Sequence, residues 1–360
     1  MQVAFIARAT LYTVRGGDTL QVTETARQLN AMGVQVDVKL TNEPIDYSKY
    51  DLLHFFNIIR PADMLCHIRR SHKPFVVSTQ LIDYSGYDKL NRKGIAGMIC
   101  RFLSEDGIEY AKTIGRYLLG RDKLMTRGYL WQGQRRSIRE ILERASLLFA
   151  GSEMESKKLA EQYRFSAGCM SIPNGLDPEL FRYEGGEKKD DRLVLCVARV
   201  EGIKNQLNLI KALNDTGYRL LIIGDQAPGQ SGYYHQCRKI AASNVTFLSH
   251  IPQSELVKYY QMAKVHILPS WWETCGLSSL EAGVMGCNIV ITDKGYTREY
   301  YEDYAFYCDP GSPASIRLAV DRAAGAAIRP GLREKILTNY TWRRSADGIA
   351  HAYDQILKVI

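Results

Sequence analysis

His266-Ile-Leu-Pro-Ser-Trp-Trp-Glu273-Thr-Cys-Gly-Leu-Ser-Ser-Leu-Glu281-Ala-Gly-Val-Met-Gly286 passes from a short apolar strand through Pro269 and an aromatic loop into a helix. The residue that opens this helix reads as Ser278 or Ser279. A strand that hands its chain to a helix start is the repeating unit of a parallel α/β sheet. The helix start offers unpaired backbone N–H groups and a positive dipole end, which suit a phosphate. Glu273 reads as a loop residue and Glu281 as part of the first helical turn. A carboxylate held away from water needs donors, and sugar hydroxyls are good ones. The plainer reading is that Glu281 complements the helix dipole and Glu273 is a loop charge.

Upstream of this run a strand at Leu193–Ala198 leads into Arg199-Val-Glu-Gly-Ile-Lys204-Asn205, then a helix to about Leu213 and a strand at Leu220–Ile223. Arg199 and Lys204 therefore follow the carboxyl end of a strand, where open parallel sheets place ligands. Two cations there suit a diphosphate, the arginine as a bidentate donor and the lysine as a point charge. Val245–Ile251 reads as a strand entering a loop at Pro252-Gln-Ser-Glu255, with His250 and Ile251 at its end. Asn288–Ile291 is a further strand, followed by Thr292-Asp-Lys-Gly295, and Tyr307-Cys-Asp-Pro-Gly311 closes another.

The first half opens with a strand at residues 2–7, a helix at 21–32 with Val22, Ala26 and Leu29 on one face, and a strand alternating through Val34, Val36 and Val38. Between the first strand and helix stands Arg15-Gly16-Gly17-Asp18-Thr19, whose glycines permit a close backbone approach to a ligand. It is not the Gly-x-Gly-x-x-Gly fingerprint of a dehydrogenase. Strands follow at Leu52–Phe56 and Phe75–Ser78, the latter entering Thr79-Gln80-Leu81-Ile82-Asp83. Leu147–Ala150 is a strand, Gly151-Ser152-Glu153 opens a helix to about Tyr163, and a strand then enters Ile172-Pro173-Asn174-Gly175-Leu176-Asp177. Pro173 and Gly175 shape a turn. Tyr183–Asp191, glycine-rich and charged, reads as a linker between two domains.

At 360 residues, with 46% apolar and 24% charged residues, the chain suits two globular domains. No run of about 18 apolar residues spans a membrane, and the start Met1-Gln-Val-Ala-Phe-Ile-Ala does not read as a signal peptide. Eight scattered cysteines without a C-x-x-C pair read as reduced thiols of a cytosolic protein rather than zinc ligands. Of the net charge of +8, residues 86–145 carry most, with 13 Lys/Arg against 7 Asp/Glu, a difference of +6. No nucleic-acid-binding module is recognisable. Within that stretch, residues 94–103 place Ile95, Met98, Ile99, Phe102 and Leu103 at helical spacing, and Lys112–Leu119 mixes cations with Ile114, Tyr117 and Leu118. Such helices either cover a sheet or lie on an anionic membrane surface. A third reading gives the basic face a pyrophosphate-bearing acceptor.

The two glutamates in Pro269-Ser270-x-x-Glu273-x-x-Gly276-Leu277 and Glu281-Ala282 resemble the E-x7-E region of the retaining glycosyltransferases of family 4. Arg199-x4-Lys204-Asn205 is similar to that family's diphosphate-binding pair, Pro173-Asn174-Gly175-Leu176-Asp177 to its crossing between domains, and Gly16-Gly17 to its glycine turn. The resemblance extends along nearly all of the chain and is weakest at residues 57–145. It implies the GT-B fold: two doubly wound, Rossmann-like α/β domains facing across a cleft. An acceptor-facing domain would occupy residues 1–175 and a donor-binding domain residues 176–340. Tyr340-Thr-Trp342 would lead into a helix, within residues 341–360, that returns to the first domain.

The resemblance also implies roles. Glu273 would hold the donor sugar and Glu281 the ribose, and Arg199 and Lys204 the diphosphate, together with the backbone of Thr274, Cys275, Gly276, Leu277 and Ser278. Gly16, Gly17, Asn174 and Ile251 would complete the donor contacts, with the base packed near Ile251. Family members often carry a histidine in the loop after the fourth strand; here Gln80 or Asp83 stands nearby. The implied reaction moves a sugar from a nucleoside-diphosphate sugar, as co-substrate, to a glycan, lipid-linked or small-molecule hydroxyl with retention of configuration. No Asp-x-Asp appears to hold a metal, and no other cofactor is implied. The family habit places such chemistry in polysaccharide synthesis in the cytoplasm, in some cases with peripheral membrane contact. Rival readings are a nucleotide-sugar epimerase, a phosphorylase and a catalytically silent binding protein.

Overall fold

A computed structural model of the chain describes residues 1–92, 94–120, 123–183, 185 and 188–359, apart from the side chains of Ile95, Ala96 and Val359. The sequence expectations at Ile95, at Glu184, Gly186 and Glu187 of the linker, and at Ile360 therefore lie outside the described residues. Two six-stranded sheets are present, with every strand pair parallel. The first contains β1 (Gln2–Ala7), β2 (Gln35–Leu40), β3 (Leu52–Phe56), β4 (Phe75–Ser78), β5 (Leu147–Ala150) and β6 (Cys169–Ser171), in the order β2-β1-β3-β4-β5-β6. The second contains β7 (Asp190–Val197), β8 (Arg219–Ile223), β9 (Val245–Leu248), β10 (Ala263–Leu268), β11 (Asn288–Thr292) and β12 (Phe306–Cys308), in the order β12-β11-β10-β7-β8-β9. Relative to its own chain direction the second order is 3-2-1-4-5-6, the dinucleotide-fold arrangement, with its reversal between β7 and β10. The reversal of the first sheet lies between β1 and β3.

The chain divides into two compact units, Met1–Asn174 with Trp342–Ile360, and Gly175–Thr341. In the first unit all of β3 is buried, as helices on both faces of a parallel sheet require. The helix Gly17–Ala31 lays Val22, Ala26 and Leu29 into the same cluster as Ala346, Ile349, Ala352 and Tyr353 of the helix Trp342–Val359. The terminal helix thus belongs to the first unit's core. A buried polar relay fixes it: Tyr353 Oη lies 2.6 Å from His54 Nδ1, and His54 Nε2 lies 2.8 Å from Ser78 Oγ. Burial pushes the His54 pKa down to about 3, so the ring stays neutral and serves one partner as donor and the other as acceptor.

Several sequence boundaries are corrected. The first helix starts at Gly17, four residues before the expected 21, because Gly16 is extended and its N–H donates to Thr19 Oγ1 at 3.1 Å. The expected linker runs into β7 at Asp190, and Lys189 is buried, donating to the carbonyls of Tyr260, Gln261 and Ala263. Pro252-Gln-Ser-Glu255 is no loop, since Gln253 begins the helix Gln253–Met262. The basic stretch folds as helices Ser85–Asn91, Gly94–Phe102, Glu105–Leu118 and Tyr129–Arg144. Removing the Tyr353 hydroxyl should leave a buried imidazole nitrogen without its partner. Tyr353→Phe is expected to lower the stability of the first unit by about 1–3 kcal/mol in urea melts, and an unchanged midpoint would contradict the relay.

Candidate functional site

β7 ends at Val197 beside β10, and the chain leaves both strands at the reversal point of the second sheet. The loop after β7 carries Arg199 into a 3-10 turn at Gly202–Lys204 and then Asn205, whose left-handed backbone (φ 61°) turns the chain into the helix Gln206–Leu213. The Asn205 amide donates to the Pro269 carbonyl at 3.0 Å and the Pro310 carbonyl at 2.7 Å. One side chain thereby ties together the loops after β7, β10 and β12. Trp271 N–H donates to the Ile203 carbonyl at 2.9 Å, a second tie between the first two loops.

The result is a partly buried ion pair: Lys204 Nζ meets Glu273 Oε1, which also accepts from Ser270 Oγ at 3.0 Å. Burial pulls the Lys204 ammonium down, but the Glu273 carboxylate outweighs it and leaves the lysine above its ordinary pKa. The backbone of Glu273 is fixed as well, its N–H donating to the Lys294 carbonyl and its carbonyl accepting from Tyr296 N–H. Gly295 makes this approach possible: its φ is 100°, and a Cβ there would lie 1.9 Å from the Glu273 carbonyl oxygen. Arg199 carries its own carboxylate, donating to Glu201 Oε1 at 2.9 Å.

The helix that follows spans Leu277–Val284 with Gly276 as its left-handed N-cap, so Ser278 and Ser279 lie inside it and Glu281 sits in the second turn, not the first. Tyr301 Oη donates to the carbonyls of Cys275 and Gly276, and Ser278 Oγ donates to the Val197 carbonyl, which seats this helix start against the end of β7. Glu281 accepts from Tyr260 Oη at 2.8 Å and Gln253 Nε2 at 2.6 Å. Burial raises its carboxyl to about 7 in spite of both hydrogen bonds. Thr274 follows Glu273 in the same loop. Ile251 is half-buried one residue before the cap of the helix Gln253–Met262. His250 is exposed, its N–H bound by Asp225.

The residues expected in the first unit lie on its own loops and helix starts. Gly16 and Gly17 open the first helix, after a loop held by Arg8, which pairs with Asp18 and donates to the carbonyls of Thr10 and Val14. Gln80 has a φ of 45° and its side chain meets Gln21. The Asp83 carboxylate accepts from the Ser85 N–H and hydroxyl and, at 2.9 Å, from Lys158 of the helix Glu153–Tyr163, so it is already engaged. Burial raises Asp83, but Ser85 and Lys158 prevail and hold it below the usual carboxylate range. The loop is anchored by buried Glu155, which accepts from Thr79 Oγ1, Leu81 N–H and Gly151 N–H. Asn174 ends the unit's first segment. The structure thus joins Lys204 to Glu273, gives Glu281 and Arg199 separate partners, and engages Asp83 with Ser85 and Lys158.

Tyr260, Gln253, Ser270, Glu201 and Asn205 support these groups, and the sequence reading gave none of them a role. Asn205 alone carried a local signal, as a residue that tolerates the left-handed region at a helix start. Among the described residues no group of three or more His, Cys, Asp or Glu is arranged to hold a metal ion.

A buried carboxyl raised to about 7 favours folding when protonated. Its contribution is complete below the unfolded value near 4.5 and is lost as pH rises through about 7. Glu281→Gln should therefore stabilise the protein by about 1–3 kcal/mol at pH 8 and little at pH 5. Urea melts that differ equally at both pH values would contradict this.

Residues 177–327, most of the second unit, match the model of the family described as glycosyl transferases group 1. Relatives include a D-inositol 3-phosphate glycosyltransferase of Acidothermus cellulolyticus, 23% identical over 95% of this chain and 86% of that protein. Another of the same description, from Corynebacterium aurimucosum, is 24% identical over 78% of this chain and 75% of that one. Among solved structures, sucrose-phosphate synthase from Thermosynechococcus elongatus aligns over 100% of both chains, with a TM-score of 0.75 and 17% identity. Anabaena HepE in complex with UDP and glucose aligns over 99% of this chain and 100% of its own, with a TM-score of 0.71 and 16% identity. The second unit thus matches the glycosyl transferases group 1 model over most of its length, and the chain as a whole has the GT-B fold of these solved structures.

Proposed function

We propose that this chain is a glycosyltransferase that draws its sugar from a nucleoside-diphosphate sugar and delivers it to an acceptor hydroxyl with retention of anomeric configuration. The observation that carries the reading is the Lys204–Glu273 pair, on the two loops that leave the sheet at its strand-order reversal. In this reading the donor diphosphate takes over Lys204 from Glu273 and Arg199 from Glu201. Glu273 then accepts from sugar hydroxyls, and Glu281 from the ribose diol, with the base beside Ile251. Negative charge gathers on the departing diphosphate as the sugar bond breaks. The two cations and the amide groups from Gly276 to Ser278 answer that charge, which is the largest contribution asked of the protein.

Attack occurs on the face from which the diphosphate leaves, and a leaving phosphate oxygen takes the acceptor's proton. No protein base and no metal ion are then required. The first unit supplies acceptor recognition, in which the loop of Gln80 takes part. Anabaena HepE has been solved with UDP and with UDP-glucose, which makes a UDP-sugar the first donor to test. Acceptors to test are glycans, lipid-linked saccharides and small polyols, in cell-envelope or capsule polysaccharide synthesis in the cytoplasm.

Calorimetric titration with UDP and GDP in EDTA tests the donor half. One nucleotide should bind, with Arg199→Ala weakening it about tenfold or more. Binding that requires a divalent ion, or is indifferent to Arg199→Ala, would contradict the reading. Lys204→Ala should depress turnover tenfold or more, and NMR of the product should show the donor's anomeric configuration. An inverted product, or an isomerised donor without acceptor, would overturn the proposed chemistry.

A further inference from the structure

Glu281 is buried, and each of its carboxylate oxygens already meets one donor of its own unit. Tyr260 Oη donates to Oε2 at 2.8 Å, and Gln253 Nε2 donates to Oε1 at 2.6 Å. Tyr260 is fully buried, so Oε2 is fixed from the core side. Gln253 is partly exposed and holds the first position of the helix Gln253–Met262. An ionised carboxylate offers about four lone-pair sites, so two fixed donors leave about two, one on each oxygen. A pair of adjacent hydroxyls fills that remainder, and a single hydroxyl does not.

Gln253 does more than occupy a lone pair. The turn between β9 and its helix is held at one end by Asp225, whose Oδ1 accepts from His250 N–H at 2.9 Å. It is held at the other end by the bond from Gln253 to Glu281. Ile251 lies between these two tethers. The carboxylate is therefore fastened to the turn that carries Ile251, across the gap between two helices that are separate in sequence. A neutral amide suits this task, since it orients the carboxylate without cancelling its charge as a lysine would. We infer that Gln253 is a positioning residue for the nucleotide, setting the Glu281 carboxylate to read a ribose 2′,3′-diol while the adjoining turn holds the base. This rests on the reading that Glu281 takes the ribose and deepens it. Tyr260 fixes one oxygen as part of the core, and Gln253 fixes the other as part of the ligand-facing turn.

The test is calorimetric titration of the full chain with UDP, GDP and their 2′,3′-dideoxy forms, repeated with Gln253→Met. Methionine keeps the length of the side chain and removes its donor. The wild-type protein should prefer the ribo form of the nucleotide it binds by about tenfold or more over the dideoxy form. Gln253→Met should weaken the ribo form at least about threefold and leave the dideoxy form within about twofold, so that the preference shrinks. An unchanged dideoxy affinity also shows that the rest of the site is intact. Equal weakening of both forms would mark a merely structural role and overturn the inference. A preference untouched by Gln253→Met would overturn it as well, while leaving the ribose role of Glu281 standing. A wild-type protein that binds neither nucleotide, or binds ribo and dideoxy forms alike, would remove that role and the inference with it.

Discussion

The pairing of Lys204 with Glu273 is the constraint on which the second unit is arranged. Taking the Glu273 carboxylate out of water costs several kcal/mol unless a cation and further donors meet its lone pairs. Much of the surrounding backbone serves that requirement. Ser270 supplies Glu273 with a second donor, Gly295 lets a neighbouring loop close on its carbonyl, and Asn205 locks the lysine's turn to the loops after β10 and β12. The strand order explains the place. At the reversal between β7 and β10 the following helices depart to opposite faces, which leaves a crevice that loops from both strands line. A lysine held by a carboxylate is a cation kept charged and in position, ready for an anion that binds it better.

Glu281 is tuned in the opposite sense. Its neighbours are a tyrosine and a glutamine, neither of them charged, so burial prevails and the carboxyl titrates near neutrality. Two glutamates eight positions apart thus have different electrostatic characters because one faces a cation and the other faces neutral donors. The first unit uses its polar groups differently. His54 joins β3 to β4 and to the terminal helix, and Glu155 joins the loops after β4 and β5. These groups hold the framework of the unit.

The parts of the fold that were legible in the sequence are those with dense apolar runs. Leu52–Phe56, Phe75–Ser78 and Leu147–Ala150 form strands with the boundaries read from composition, since buried parallel strands are nearly continuous in apolar residues. Helix starts were less legible. Gly16 and Gly276 act as caps through backbone geometry rather than a side-chain oxygen, so apolar spacing alone put the first start at 21, and a serine cap was expected at Ser278 or Ser279. Pro61, at the first position of its helix, offered a start signal in the region of weakest resemblance. The motif residues Arg199, Lys204, Glu273 and Glu281 were visible, while Tyr260, Ser270 and Gln253 were not. Their partners are fixed by three-dimensional packing between elements, and no local spacing encodes such a contact. Asp83 read as available and proves to be engaged with Ser85 and Lys158, a commitment that only the fold reveals.

The central claim is that Lys204 and Glu273 act on the donor as one unit. A double-mutant cycle on turnover, using Lys204→Met, Glu273→Gln and the combined variant, measures this directly. The account predicts strong coupling: each single change is severe, and the double variant is no slower than the worse of the two. Losses that simply multiply would mean that the two side chains act independently, and would contradict it.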